Sequence, residues 1–152
     1  MAMYPIILVS ISSYPKGTFS LEEQGMKFAT LVLTAVFAIA IFVFAYGYTY
    51  SISSPYYVTA SEGKAGIAQK RYNVVLDVRT GLERAVVGYY PGSIHIPVTE
   101  LRERISKEIP DKNTSILIYC NTGQRARVAA ELLQSMGYKN TRYIATTHIF
   151  LY

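Results

Sequence analysis

Two kinds of hydrophobic patterning divide the chain. From Phe28 to Tyr46 (FATLVLTAVFAIAIFVFAY) the sequence is almost wholly apolar, broken only by Thr30 and Thr34, and no charged residue occurs between Phe28 and Ser61. A buried core helix of that length would carry a polar face. Nineteen residues at about 1.5 Å each reach about 28 Å, close to the hydrocarbon thickness of a bilayer. The pattern predicts a transmembrane or signal helix over 28–46. Residues 1–27 form an N-terminal extension without a motif, and 47–57, rich in Tyr and Ser and holding Pro55, read as a linker.

From residue 58 onward, short apolar runs alternate with amphipathic ones. Tyr57–Thr59 reads as a short strand and Glu62–Gln69 as a short helix. Asn73–Val78 (NVVLDV) reads as a buried strand. In Glu100–Ile109 the apolar residues Leu101, Ile105 and Ile109 share one helical face, with charges opposite. Ser115–Tyr119 is the next strand, Ala126–Met136 the next helix, closed by Gly137, and Thr141–Ala145 a last strand. Strands alternating with helices predict an α/β fold, a parallel sheet flanked by helices on both faces, over 58–152. In such sheets ligands bind beyond the carboxyl ends of the strands.

Cys120 falls at that end. It closes the run Ile116–Tyr119 and opens a polar loop, Asn121-Thr122-Gly123-Gln124-Arg125, ahead of the helix. Gly123 can adopt positive φ, letting the loop turn its N–H groups inward around the sulfur. The helix N-terminus adds partial positive charge. Arg125 and Arg127 add full charges, and all three favour the thiolate, the nucleophilic form. Asp77 and Arg79 end the preceding strand in the same manner and read as an ion pair bracing the loop.

Composition narrows the chemistry. Residues 61–152 hold 13 Lys and Arg against 8 Asp and Glu, which accounts for the net charge of +5. The positive residues are scattered, without a run or an aromatic–basic platform, so nucleic acid is not the expected partner. Cys120 is the single cysteine, so no intramolecular disulfide forms and no second thiol can discharge sulfur held on it. His95 and His148 stand apart from ligand spacing, and no metal or cofactor is expected.

The loop Cys120-Asn121-Thr122-Gly123-Gln124-Arg125 resembles the active loop of rhodaneses, the single-cysteine sulfurtransferases. Leu76-Asp77-Val78-Arg79, with Glu83 as the downstream acidic residue, resembles the family's first signature. Gly88–Pro97 (GYYPGSIHIP) resembles its second, with Tyr89 in place of the usual histidine and His95 in place of an asparagine. Pro110-Asp111-Lys112-Asn113 and Met136-Gly137-Tyr138 are similar to the small periplasmic phage-shock branch of the family. The likeness covers Val58 to Tyr143. Beyond it the chain runs RYIATTHIFLY, where the family has a glycine pair, a tryptophan and a final helix. That departure predicts one side of the fold less well covered.

The resemblance implies sulfur transfer from a donor such as thiosulfate to a thiol or cyanide through a persulfide on Cys120. Its partners would be a small sulfur-containing anion and a thiol acceptor. Loop size points the same way. Thiolate phosphatases place five residues between cysteine and arginine; here four lie between Cys120 and Arg125, and the next position is Ala126. The alternative is a rhodanese fold serving as a non-catalytic binding module in a membrane assembly. Two placements fit the leader. Read from Met26, the segment is a cleavable signal ending near Val43-Phe44-Ala45. Read from Met1, it is a single-pass anchor, and Lys16 and Lys27 before it orient the following domain outward.

Overall fold

The computed structural model describes residues 18–152, with side chains from Glu23 onward, so the first 17 positions of the expected extension lie outside the described residues. The chain divides into two units, Met1–Val43 and Phe44–Tyr152. A single helix, α1 (Thr18–Ile52), begins in the first and ends in the second. Its part Glu23–Ile52 is long and apolar enough to cross a membrane. Within the first unit the Thr30 and Thr34 hydroxyls donate to the carbonyls of Met26 and Leu31, both at 2.8 Å, so neither polar group needs an outside partner.

The second unit starts earlier than the patterning suggests. Residues 47–52 are helix, not linker. The Arg127 guanidinium donates to the Tyr50 carbonyl, lies 4.0 Å above the Tyr50 ring and reaches Ser53 Oγ at 3.0 Å. Tyr143 Oη donates to the Ser51 carbonyl at 2.6 Å. Carbonyls that a helix end leaves unpaired are thus taken up by the domain, which is why the helix runs on.

Four parallel strands form the sheet: β1 (Val74–Asp77), β2 (Ile94–His95), β3 (Ile116–Tyr119) and β4 (Thr141–Tyr143), in the order β2-β1-β3-β4. The helices are α2 (Ala60–Ala68), α3 (Gly81–Val87), α4 (Leu101–Glu108) and α5 (Gln124–Ser135), followed by a 3₁₀ turn at His148–Leu151. Every residue of β3 is buried, as a continuous apolar run requires. On one face Leu76, Ile116 and Ile118 pack against Leu101 and Ile105 of α4 and Ala126, Ala129 and Leu133 of α5. On the other, Val75, Leu117 and Tyr119 pack with Ile144, Leu151 and, from α2, Ile67.

Three elements escape the periodicity argument. Helix α3 buries none of its residues, so it has no apolar stripe to read. Strand β2 is two residues long. Tyr57 makes one parallel bridge to Tyr143 instead of heading a strand. The expected weak side is also corrected, because the 3₁₀ turn inserts Leu151 and His148 against that face and leaves both buried.

The chain leaves β1 to one side, returns from β2 across it, and enters β3 on the other. Strands β1 and β3 therefore flank the topological switch point, the ordinary place for a ligand crevice. Their carboxyl ends are joined by buried charge. Asp77 and Arg79 are both fully buried and form a two-pronged pair, Nε to Oδ1 at 2.9 Å and Nη2 to Oδ2 at 2.7 Å. Tyr119 Oη donates to the same carboxylate at 2.8 Å. Burial alone would raise the Asp77 pKa, but hydrogen bonds from Arg79 and Tyr119 outweigh it and hold the carboxyl below its usual range. Asp77→Asn leaves the Arg79 guanidinium buried without a counter-charge and is expected to cost about 3–5 kcal/mol in urea unfolding. Exposed Leu82→Ala should stay within about 0.5 kcal/mol. Equal effects of the two would show that the pair does not brace the sheet.

Candidate active site

Cys120 ends β3 at the switch point and is fully buried. Gly123 takes the left-handed conformation the loop needs, with φ +87°, and its N–H donates to Cys120 Sγ at 3.1 Å. A side chain there would fail twice over. The φ disfavours it, and a Cβ would sit 2.6 Å from Ala145 Cα and 3.2 Å from Ser51 Cβ. Ala145, just past β4, and Ser51, in the last turn of α1, thus close over the loop. Helix α5 starts directly after Gly123 and brings its N-terminal partial charge to the same place.

The loop side chains divide. Asn121 Nδ2 donates to Glu83 Oε1 at 2.7 Å, and Arg125 binds both oxygens of Glu83, at 2.6 and 2.7 Å. Thr122 and Gln124 are exposed. Neither Arg125 nor Arg127, expected to add full charges at the sulfur, is without a carboxylate partner. Arg125 is paired with Glu83, and Arg127 is held by Glu131 at 2.8 Å and by the end of α1. Among the described residues one loop N–H, that of Gly123, bonds the sulfur, where a ring of them was expected. Positive surroundings at Cys120 thus come from the Gly123 N–H together with Arg125, which keeps a Coulombic attraction to Cys120 despite its pairing with Glu83.

Glu83, which hydrophobic periodicity did not select and the resemblance marked only as the downstream acidic residue, is the partner of the loop. It is the third helical position after Thr80, whose hydroxyl accepts from the Glu83 N–H at 3.3 Å while the Glu83 carboxylate accepts from the Thr80 N–H at 2.9 Å. Thr80-x-x-Glu83 is a capping box, a signal legible in the sequence as a helix start. One carboxylate thus caps α3 and ties both ends of the cysteine loop. Its partner Arg125, then Thr80, hold the Glu83 carboxyl far below the usual carboxylate range.

Asp77 and Arg79 do not reach the sulfur through any hydrogen bond among the described residues. Arg79 Nη2 also donates to the Gly88 carbonyl at 2.8 Å, and Arg84 reaches Ser93 Oγ at 3.1 Å, so the pair anchors α3 and the segment leading to β2. His95 spends its ring on the Arg79 carbonyl at 2.9 Å.

The model of the rhodanese-like domain matches residues 59–146. The chain belongs to the rhodanese-like domain family. Thiosulfate sulfurtransferase PspE of Escherichia coli (strain K12) is 41% identical over 63 residues, which are 41% of this chain and 60% of PspE. The match thus spans less than two thirds of that relative. Among solved structures, human single-domain sulfurtransferase TSTD1 superposes with a TM-score of 0.54 at 26% identity, covering 64% of this chain and 95% of TSTD1. The rhodanese-related protein of Thermoplasma volcanium does so with a TM-score of 0.50 at 32% identity, covering 60% and 84%. In this rhodanese domain the short loop, the buried ion pair and the Glu83 clamp form one connected unit.

Two expectations follow. Because Glu83 titrates below its unfolded value, its contribution is complete above about pH 4.3 and lost as pH falls below that. Unfolding free energy should therefore be level from about pH 8 to 5.5 and drop below about 4.3. Glu83→Gln should lower it by about 1–3 kcal/mol at pH 7 and flatten part of the acid drop. An unchanged acid limb in Glu83→Gln would mean the clamp contributes nothing. Separately, Gly123→Ala should destabilise by about 1–3 kcal/mol in thermal melts, since it combines a strained φ with a backbone clash. A neutral result would mean the loop tolerates a right-handed path.

Proposed function

We propose that this rhodanese domain is a membrane-anchored sulfurtransferase whose Cys120 carries sulfane sulfur as a persulfide. The observation that carries the reading is the cysteine loop itself: Cys120 at the end of a central strand, a four-residue span to Arg125, and an inward N–H from Gly123 at 3.1 Å. The thiolate attacks the outer sulfur of a donor such as thiosulfate, the S–S bond breaks, and sulfite leaves with the electron pair. A persulfide anion remains on Cys120. Backbone N–H groups of 121–125 and the start of α5 stabilise that charge. Cyanide or a thiolate acceptor then attacks the terminal sulfur, leaving as thiocyanate or a new persulfide and restoring the Cys120 thiolate. With one cysteine in the chain, that acceptor comes from outside. Asp77, Arg79 and Glu83 are positioning residues in this scheme.

Residues 28–46 act as the anchor. Support comes from the length and apolar character of α1 over Glu23–Ile52 and from its last turn being held by Arg127 and Tyr143. The exported form, with the domain beyond the membrane after cleavage, is the alternative placement. A non-catalytic binding module remains the second reading, favoured by the complete burial of Cys120 beneath Ser51 and Ala145.

Intact mass separates the two functions. Wild-type protein treated with thiosulfate should gain about 32 Da, one sulfur, and lose it to cyanide as thiocyanate, while Cys120→Ser gains nothing. The same spectrum reports whether the leader is retained. A wild-type protein that takes up no sulfur would put the binding module first.

A further inference from the structure

We propose that a cavity at the amino-terminal end of the sheet, walled by Arg71 and Arg142, binds a phosphate group, free or as the monoester of a small molecule.

The pairing of the arginines singles the place out. Five of the chain's eight, Arg79, Arg84, Arg104, Arg125 and Arg127, face a carboxylate. Arg71, Arg102 and Arg142 have no such partner among the described residues. Arg102 is exposed on α4. The other two line one cavity of about 380 Å³ together with Tyr72, Ser115 and Asn140, and no carboxylate lines it among the described residues.

Local structure builds the walls. Lys70, at φ +56°, and the Arg71 N–H, which donates to the Gly66 carbonyl at 2.8 Å, end α2 and turn the chain toward β1. A Cβ at Gly66 would lie 2.3 Å from Tyr72 Cε2, so glycine there lets the Tyr72 ring lie against the helix. Arg142 sits opposite Leu117 in the sheet, and alternation sends its side chain to the α2 face, away from Thr141 and Tyr143. Ser115 and Asn140, just before β3 and β4, are fixed in place. Ser115 Oγ donates to Asn73 Oδ1 at 2.6 Å, and Asn140 Nδ2 to the Asn113 carbonyl at 2.9 Å. Burial pushes the Tyr72 pKa up against the pull of both Arg71 and Arg142, so the two guanidiniums converge on its hydroxyl. Glu62 also acts on that hydroxyl, but its carboxylate accepts from the Thr59 N–H and hydroxyl, at 2.8 and 2.7 Å.

Two guanidinium forks converging without a counter-charge match the several oxygens of a phosphate group. The volume exceeds what phosphate alone fills and falls within the range of about 300–1,000 Å³ usual for small-molecule sites. The site lies at the other end of β3 from Cys120 and uses no residue of the cysteine loop, so it is independent of the sulfur-transfer reading.

Calorimetry on the full-length protein in detergent micelles tests this, at about pH 7.5, where a phosphate monoester is a dianion. The titrants are inorganic phosphate, glucose 6-phosphate and glucose. The expected result is saturable one-site binding of a phosphate compound and none of glucose. Tighter binding of glucose 6-phosphate than of phosphate identifies a monoester site; equal binding identifies a free-phosphate site. Arg71 and Arg142 both reach solvent, so their replacement spares the core. Arg71→Ala and Arg142→Ala should each weaken binding about tenfold or more, while Arg102→Ala leaves it unchanged. Absence of saturable binding overturns the proposal. So does equal weakening by all three variants, which would make the effect one of net charge, or binding that survives Arg71→Ala and Arg142→Ala but is lost in Cys120→Ser.

Discussion

A charge taken fully out of water must be paired, and the domain is arranged around one such pair. Asp77 and Arg79, both inaccessible to solvent, cannot be separated without stranding an ion in the core. Satisfying them recruits the ends of three elements. Tyr119 comes from β3, Arg84 and the Gly88 carbonyl from α3 and its C-terminal end, and Ser93, bonded to Arg84, from the approach to β2. Because Tyr119 immediately precedes Cys120, the same network fixes the level at which the strand stops and the cysteine loop starts. The pair is chemically silent and geometrically decisive.

The electrostatics of the loop follow from a second pairing. An arginine near a thiol is easily read as a stabiliser of thiolate, yet Arg125 has its guanidinium matched in two-pronged fashion by Glu83. The carboxylate offsets part of that charge, Arg125 still attracts Cys120 electrostatically, and the pair also sets shape. It holds Asn121 and Arg125 to a common carboxylate and thereby sets the span of the loop. Oriented backbone acts on Cys120 beside Arg125: the Gly123 N–H and the first turn of α5. In the sulfur transfer proposed above, charge would appear on the sulfur in one step and leave in the next, and fixed dipoles need no counter-ion to move.

Sequence reading succeeded where burial writes periodicity into the chain. The all-apolar β3, the Leu101–Ile105 stripe of α4 and the alternation of strands with helices led directly to the parallel α/β sheet, and the C-N-T-G-Q-R loop led to the family. It missed α3, whose Leu82, Val86 and Val87 face outward and leave only the capping box as a marker. It missed the partnership of Glu83 with Arg125, which joins residues 42 apart in sequence. The supposed linker failed for a related reason. Nothing local in 47–52 says that Arg127 and Tyr143 will take up the end of α1; those partners come from elements 74 and more residues away.

Burial of the thiol is then the feature that binds these parts into one question of access. With Cys120 fully buried, the proposed sulfur transfer would require local opening, and the free energy of that opening would enter the rate directly. Each 1.4 kcal/mol of opening slows reaction about tenfold, so even a modest cover governs turnover. Of the two covering segments, Ala145 leads from β4 into the 3₁₀ turn whose Leu151 is buried in the core, whereas Ser51 belongs to a helix end held by two hydrogen-bonding side chains, Arg127 and Tyr143. The helix end is fastened through buried Ser51 and the core residue Tyr143, the turn by core packing around Leu151. Both fastenings are buried, so access to the sulfur depends on the packing of the end of α1 and of the C-terminal turn alike.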